Sequence, residues 1–399
     1  MKKFLAMILA LAMVAMCFSA CGGKTEPTED PNAQSSEEQQ SQDTQGNDEA
    51  ALKVAMITDY GDITDQSFNQ TTYEACKEFC EANGIEFVYK KPASDSDEDR
   101  IAMIEAAIDE EYNVIVMPGY AFGAAIRETA AENADVTFIA LDVSKGDLDL
   151  FDENYNLVKE YEVPANLYSA VYQEELCGYM AGVAAVKLGY KKLGFLGGMA
   201  VPAVIRYGYG FVQGVDAAAA ELGLKDVEVK YVYGGQFYGD ADITAVMDTW
   251  YGAGTEIVFA CGGGIFTSAG EAAKKTGGKV IGVDVDQAAI IDGMFGEGIT
   301  VTSAMKGLAP TVKTMLQALV DGKFEGGKID TLGLVSETPE ENFVQIAGST
   351  QFGEGFTAED YAALVKKMFA GEIKVDNATD KAAGDLATVI AVDDQGSIK

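Results

Sequence analysis

Residues 53–59, KVAMITD, form a short apolar run that closes on a carboxylate, and the spacing of the apolar residues beyond it decides the fold. Tyr73, Cys76 and Cys80 fall on one face of a helix after it, residues 86–89 make a second strand, and Ile101, Ile104 and Ile108 repeat at helical spacing. The alternation continues with a strand at 114–117, a helix at 124–131 and a strand at 136–142, VTFIALD. After a connecting region the pattern restarts, with strands at 192–196, 227–233, 257–261 and 280–284 and helices beginning near Pro202, Asp242 and Ser268. Strands alternating with amphipathic helices make βαβ units, so the expectation is an α/β chain of two doubly wound parallel-sheet units in series.

Upstream, Lys2 and Lys3 precede an apolar run at 4–18 and then Ser19, Ala20 and Cys21. A charged start, an apolar stretch short of a bilayer span and small residues before a cleavage point read as an export signal over residues 1–20. The segment ending at Cys21 resembles a bacterial lipobox, with Phe18 where leucine is usual. That resemblance implies a diacylglyceryl group on Cys21, which anchors the chain to the outer face of the cell membrane. Residues 21–50 carry scarcely an apolar side chain, cannot offset the entropy of ordering, and are expected to be a disordered tether. Roughly 350 residues remain beyond the tether, enough for two domains of ~100 to 200 residues each.

The formal charge of −34 argues against nucleic acid and against a basic face for anionic lipid headgroups. The chain has no histidine, which removes the commonest general base, the usual metal ligand and every Ser-His or Cys-His pairing. Cys76 and Cys80 lie one helical turn apart, but nothing completes a zinc set, and Cys76, Cys80, Cys177 and Cys261 read as small buried residues. No metal, cofactor or catalytic residue is expected.

Ligands of doubly wound sheets bind beyond the carboxyl ends of the strands. Three strands end in aspartate there: Asp59, Asp142 and Asp284. A single such residue is often a cap or a turn, whereas three over both units suggest carboxylates facing one cleft. The remaining strand-end loops are glycine-rich or aromatic, Pro118-Gly119-Tyr120, Gly197-Gly198-Met199 and Gly262-Gly263-Gly264, and they make Tyr120 and Gly263 candidates. None continues as a P-loop, and the first strand does not lead into G-x-G-x-x-G.

Residues 57–70, ITDYGDITDQSFNQ, resemble the opening of the basic membrane protein family of lipoproteins, typified by bacterial purine nucleoside receptors. Further similar segments come in order: 177–181 (CGYMA), 193–199 with Pro202, 208–214 (GYGFVQG), 280–287 (VIGVDVDQ), 302–306 (TSAMK) and a closing helix at 362–375. The resemblance implies a type I periplasmic-binding-protein fold whose two lobes, joined by three crossings, close on a ligand by hinge motion. Residues 51–165 with 307–330 would then form the N-terminal lobe, and 166–306 with 331–399 the C-terminal lobe. The implied function is that of a monomeric, non-enzymatic receptor delivering a purine nucleoside to the permease subunits of an ABC transporter.

Carried over by position, the resemblance sets Phe68 against one face of the base and Asn69 and Asp142 at its edges, with Ser67 in the same turn. Tyr207 is expected on the other face in preference to Phe211, which precedes Val212 and points to the core. Asp284 and Lys306 would hold the ribose hydroxyls, one accepting and the other donating. There is no arginine cluster to welcome a phosphate, so nucleosides are expected over nucleotides. The competing readings are a same-fold receptor for a flavin, a sugar or a signalling furanone; a nucleoside hydrolase using Asp59, Asp62 and Asp65 with calcium; and a surface adhesin.

Overall fold

The computed structural model describes residues 51–399; the expected export signal, Cys21 and the expected tether lie outside them. In chain order the strands are β1 (Lys53–Ile57), β2 (Glu86–Lys90), β3 (Val114–Pro118), β4 (Thr137–Leu141), β5 (Leu150–Phe151), β6 (Leu157–Lys159), β7 (Leu167–Tyr172) and β8 (Lys192–Gly197). They continue as β9 (Glu228–Tyr233), β10 (Ile257–Cys261), β11 (Lys279–Asp284), β12 (Thr300–Lys306), β13 (Lys328–Leu332), β14 (Val344–Ile346) and β15 (Ala391–Ser397). One sheet runs β13-β7-β4-β3-β1-β2 and the other β14-β12-β11-β10-β8-β9-β15, while β5 and β6 pair only with each other. The first sheet is all parallel; in the second only β14 runs antiparallel, against β12.

Both sheets are covered on their two faces, which is why their strands read as nearly continuous apolar runs. Ile57, Ile115 and Phe138 pack against Ile104, Phe122 and Ile126 on one side of the first sheet. Leu196, Val258 and Val280 pack against Met247 and Trp250 on one side of the second. Each such fully buried side chain contributes roughly 1.5–3 kcal/mol.

The order β2-β1-β3-β4-β7 in one lobe repeats as β9-β8-β10-β11-β12 in the other. Asp142, just after β4, and Asp284, closing β11, therefore occupy equivalent places. Both are left-handed, with φ of 61° and 64°, a strained conformation for a residue with a side chain.

The lobe boundaries expected at 165/166 and 330/331 both move toward the C-terminus. β7 pairs with β4 from Phe138↔Leu167 to Leu141↔Ala170, and β13 pairs with β7 through Leu332, so the crossings fall near Gln173, Gly307 and after Leu332. The polar run before Leu167 reads as a linker but holds the β5–β6 hairpin, which returns the chain to the first sheet. The expected closing helix at 362–375 is instead Ala358–Phe369, started by a capping box between Thr357 and Asp360. It does not close the chain, because β15 comes after it and adds an edge to the second sheet beside β9.

Candidate functional site

A cavity of about 920 Å³ lies between the lobes, at the carboxyl ends of both sheets. Such a volume suits a small organic ligand. All the expected site residues except Ser67 line it: Asp59, Phe68, Asn69, Tyr120, Asp142, Tyr207, Gly263, Asp284 and Lys306. Ser67 is fully buried behind the lining and acts through Asp284.

The turn that opens the helix Phe68–Asn83 is organised by Asp65. Its Oδ1 accepts from the backbone N–H groups of Ser67 and Gln70, at 2.9 and 3.0 Å, and its Oδ2 from the backbone and side-chain amides of Asn69, at 2.9 and 3.0 Å. Asp65 thus satisfies first-turn donors that the helix itself leaves orphaned. Asp62 accepts from Thr64 and pairs with Lys91, so Asp62 and Asp65 are engaged in turns and caps and do not converge with Asp59 as metal ligands. With its amide nitrogen held by Asp65, the buried Oδ1 of Asn69 has no partner.

Asp59 accepts from the N–H groups of Tyr60 and Gly61 at 2.7 and 2.9 Å, and burial pushes its carboxyl above the usual range against those bonds and the charge of Arg100. Its other oxygen lies against Gly119, where a Cβ would come within 2.4 Å and where φ is 128°, so that glycine is required on both counts. Gly263 is a turn glycine, with φ of 51° and the Phe237 carbonyl 2.8 Å from where a Cβ would sit.

Lys306 is the centre of the site. Only 5 % exposed, its Nζ pairs with Asp142 Oδ2 and lies 3.4 Å from Glu174 Oε1 and 3.8 Å from Asp284 Oδ1. Three rings surround it, with centroids at 4.7 Å for Phe68, 5.5 Å for Tyr172 and 5.8 Å for Tyr207. Burial works against its charge, but Asp142, Asp284 and Glu174 outweigh it and hold the ammonium protonated well above its ordinary range.

Asp284 accepts from the Ser67 hydroxyl at 2.6 Å and the Tyr207 hydroxyl at 3.3 Å. Burial raises its carboxyl, with Lys306 and Ser67 opposing; burial likewise raises Glu174 against Arg206 and Lys306. Three carboxylates therefore face two cations, and a buried site with one excess negative charge favours either a retained proton or a ligand that brings hydrogen-bond donors. Asp142 Oδ1 is a further buried acceptor without a partner.

Tyr207 is 1 % exposed and packs edge-on to Phe259 at 5.9 Å, so the ring reaches the cavity from within the core. Phe211 is buried against Phe195 and Phe259 and does not line the cavity. Sequence reasoning missed Tyr60, Met199, Arg206 and Phe237 in the lining, and Glu174 behind Lys306. The Tyr60 hydroxyl lies 3.3 Å from the Met199 sulfur across the lobes. Arg206 donates to Glu174 at 2.7 Å, a contact made possible by tight helix packing. A Cβ on Gly178 would sit 2.2 Å from the Tyr207 carbonyl, so the helix Glu174–Lys187 rests directly on Pro202–Leu222.

The family described as ABC transporter substrate-binding protein PnrA-like (Bmp) matches residues 52–349. The ABC transporter nucleoside-binding protein BmpA of Lactococcus lactis subsp. cremoris is 28 % identical over 306 residues, 73 % of this chain and 81 % of that protein. Basic membrane protein A of Borreliella burgdorferi is 29 % identical over 288 residues, 71 % of this chain and 76 % of its own length. Among solved structures, an ABC transporter solute-binding protein from Aeropyrum pernix K1 superposes with a TM-score of 0.65 at 20 % identity, covering 82 % of this chain and 94 % of the other. One from Conexibacter woesei gives 0.62 at 22 %, covering 82 % and 99 %. At those identities the likeness speaks to the fold, the two-lobed type I periplasmic-binding-protein architecture. Taken with the family match, which spans both lobes and the cavity between them, this means that the chain belongs to the Bmp family of PnrA-like ABC transporter substrate-binding proteins.

Proposed function

We propose that the protein captures purine nucleosides between its lobes and hands them to the permease subunits of an ABC transporter, working as a monomer anchored through lipid on Cys21 at the extracytoplasmic face of the membrane. The observation that carries this reading is the buried set of Lys306, Asp142 and Asp284, with aromatic rings beside it. A carboxylate and an ammonium on one side suit the vicinal hydroxyls of a ribose; Asn69 Oδ1 and Asp142 Oδ1 suit ring or exocyclic N–H donors of a base. Phe68 and Tyr207 offer apolar faces to a flat ring. The lining holds one arginine, Arg206, already engaged by Glu174, which favours an uncharged nucleoside over a nucleotide. The Lactococcus relative is named for nucleoside binding, in agreement with this chemistry.

The test is a thermal-shift panel, since a ligand that binds only the folded state raises its midpoint by mass action. Inosine, guanosine and adenosine should raise it, while their monophosphates, riboflavin and free pentoses should not. A larger shift with riboflavin or a pentose than with any nucleoside contradicts the reading.

A further inference from the structure

The β5–β6 hairpin is the least buried ordered element among the described residues. Every residue from 150 to 160 is exposed, and five large apolar side chains crowd into this span: Leu150 (41 %), Phe151 (46 %), Tyr155 (89 %), Leu157 (50 %) and Val158 (67 %). Single exposed apolar residues are ordinary on a protein surface, but a contiguous group marks a place where something binds. The tip is built to hold this shape. Asp152 Oδ1 accepts from the backbone N–H groups of Asn154 and Asn156 at 2.8 and 2.9 Å, and Tyr155 is held at a φ of 60° with its ring in solvent. A bulky residue in the left-handed region is strained, and the ring gains no burial in return. Phe151 and Leu157 are cross-strand partners, so their side chains extend one apolar surface.

The hairpin grows directly from the ligand cleft. The chain runs from Asp142 through Ser144 and Asp147, which line the cavity, to fully buried Leu148 and then into β5. The returning strand is tied at its base by the Tyr161 N–H donating to Asp149 at 2.8 Å.

Charge decides among the possible occupants. Asp152, Glu153, Glu160 and Glu162 flank the apolar side chains in sequence, against Lys159 within the hairpin and Lys145 at its base, the latter already paired with Asp149. An anionic lipid surface is repelled by that rim, and a second copy would set the same acids against themselves. The charged residues of the chain's own segment 24–50 are all acidic apart from Lys24. A partner with an apolar depression ringed by lysine or arginine is attracted.

We propose that the hairpin 149–160 is the element through which the first lobe docks on the permease, seating Phe151, Tyr155 and Leu157 in an apolar, basic-rimmed depression on its extracytoplasmic surface. The inference rests on the transport role proposed for the chain. Because the hairpin is continuous with the loop carrying Asp142, the docked surface lies one short helix away from a cavity-lining carboxylate.

The test is uptake of tritiated inosine by cells lacking their own copy of the protein and complemented with variants. Wild type should restore uptake, whereas Phe151→Ser/Tyr155→Ser/Leu157→Ser should reduce it at least ten-fold with inosine affinity and melting midpoint unchanged. Glu153→Lys/Glu160→Lys, which leaves the apolar side chains in place, should reduce it about five-fold. If wild type binds inosine in solution but restores no uptake, the transport role fails; if wild type restores it and both variants transport normally, the docking role is overturned. It is also overturned if the triple substitution abolishes binding to phosphatidylglycerol vesicles or a self-association of the wild type, because the hairpin's partner is then a lipid surface or a second copy.

Discussion

Ser67 and Asp284 are joined across the cleft by a 2.6 Å hydrogen bond, the hydroxyl of the first lobe's helix-opening turn donating to the carboxylate that ends β11. Together with Gln287 donating to the Gln66 carbonyl at 3.0 Å and Lys306 paired to Asp142, it holds the lobes closed on each other.

Ser67→Ala should therefore loosen the closed state. A hydrogen bond to a charged group is worth about 1.5–3 kcal/mol, enough to shift a two-state hinge by an order of magnitude or more. Small-angle scattering of the unliganded variant should give a larger radius of gyration than wild type, and saturating nucleoside should restore the compact value. An identical radius without ligand would mean that this bond does not govern closure.

Lys306→Met leaves Asp142, Asp284 and Glu174 buried around an apolar side chain, with only Arg206 to offset them. Breaking a buried ion pair from one side typically costs about 3–5 kcal/mol, which urea denaturation would resolve. Adding Asp142→Asn should recover part of the loss. A single variant as stable as wild type would show that the cluster is solvated in solution.

A pH dependence arises from Glu175, only 2 % exposed and with its Oε2 unpartnered. Burial pushes this carboxyl from its ordinary 4.5 up to about 7, with the charge of Glu174 adding and its own backbone N–H and Arg206 opposing. Between those two values the folded protein keeps a proton that the unfolded chain has released. Stability consequently falls as pH rises through the window, by up to about 3 kcal/mol, and is greatest on its acid side. Glu175→Gln should flatten that slope in urea midpoints measured from about pH 4.5 to about pH 7.5. An unchanged slope would assign it to other groups.

The alternation of apolar strands and helical stripes is enough to locate the carboxyl ends of both sheets, and hence Asp59, Asp142 and Asp284, because strand ends depend only on local pattern. Phe68, Asn69, Tyr207 and Lys306 come from the resemblance, and all four line the cavity. Arg206 and Glu174 are invisible in the sequence, since their meeting depends on two helices approaching through glycine, which no periodicity encodes. β15 escapes for another reason: AVDDQGS carries almost no apolar pattern, and the segment before it is anchored by Asp216 accepting from the backbone of Thr388 and Val389 at 2.9 and 2.7 Å. The hairpin 149–160 reads as linker because its few apolar side chains are interspersed with polar and charged residues at no regular period and bury nothing.

Cys21 yields a prediction about the whole chain. If two acyl chains on this residue anchor the mature protein, Cys21→Ala should release it from the membrane fraction and abolish partitioning into detergent. Equal retention of the variant would refute lipid anchoring there.

The central claim is that the cavity reads a nucleoside through both its base and its ribose. Calorimetric titration of wild type and Asp284→Ala with inosine, hypoxanthine and 2′,3′-dideoxyinosine tests it most directly. Inosine should bind wild type far more tightly than the other two, and Asp284→Ala should cost inosine about 1.5–3 kcal/mol more than it costs dideoxyinosine, because losing the Ser67–Asp284 bond weakens closure for both ligands alike while only inosine loses the acceptor of its ribose hydroxyls. Hypoxanthine or dideoxyinosine binding wild type as tightly as inosine would contradict it.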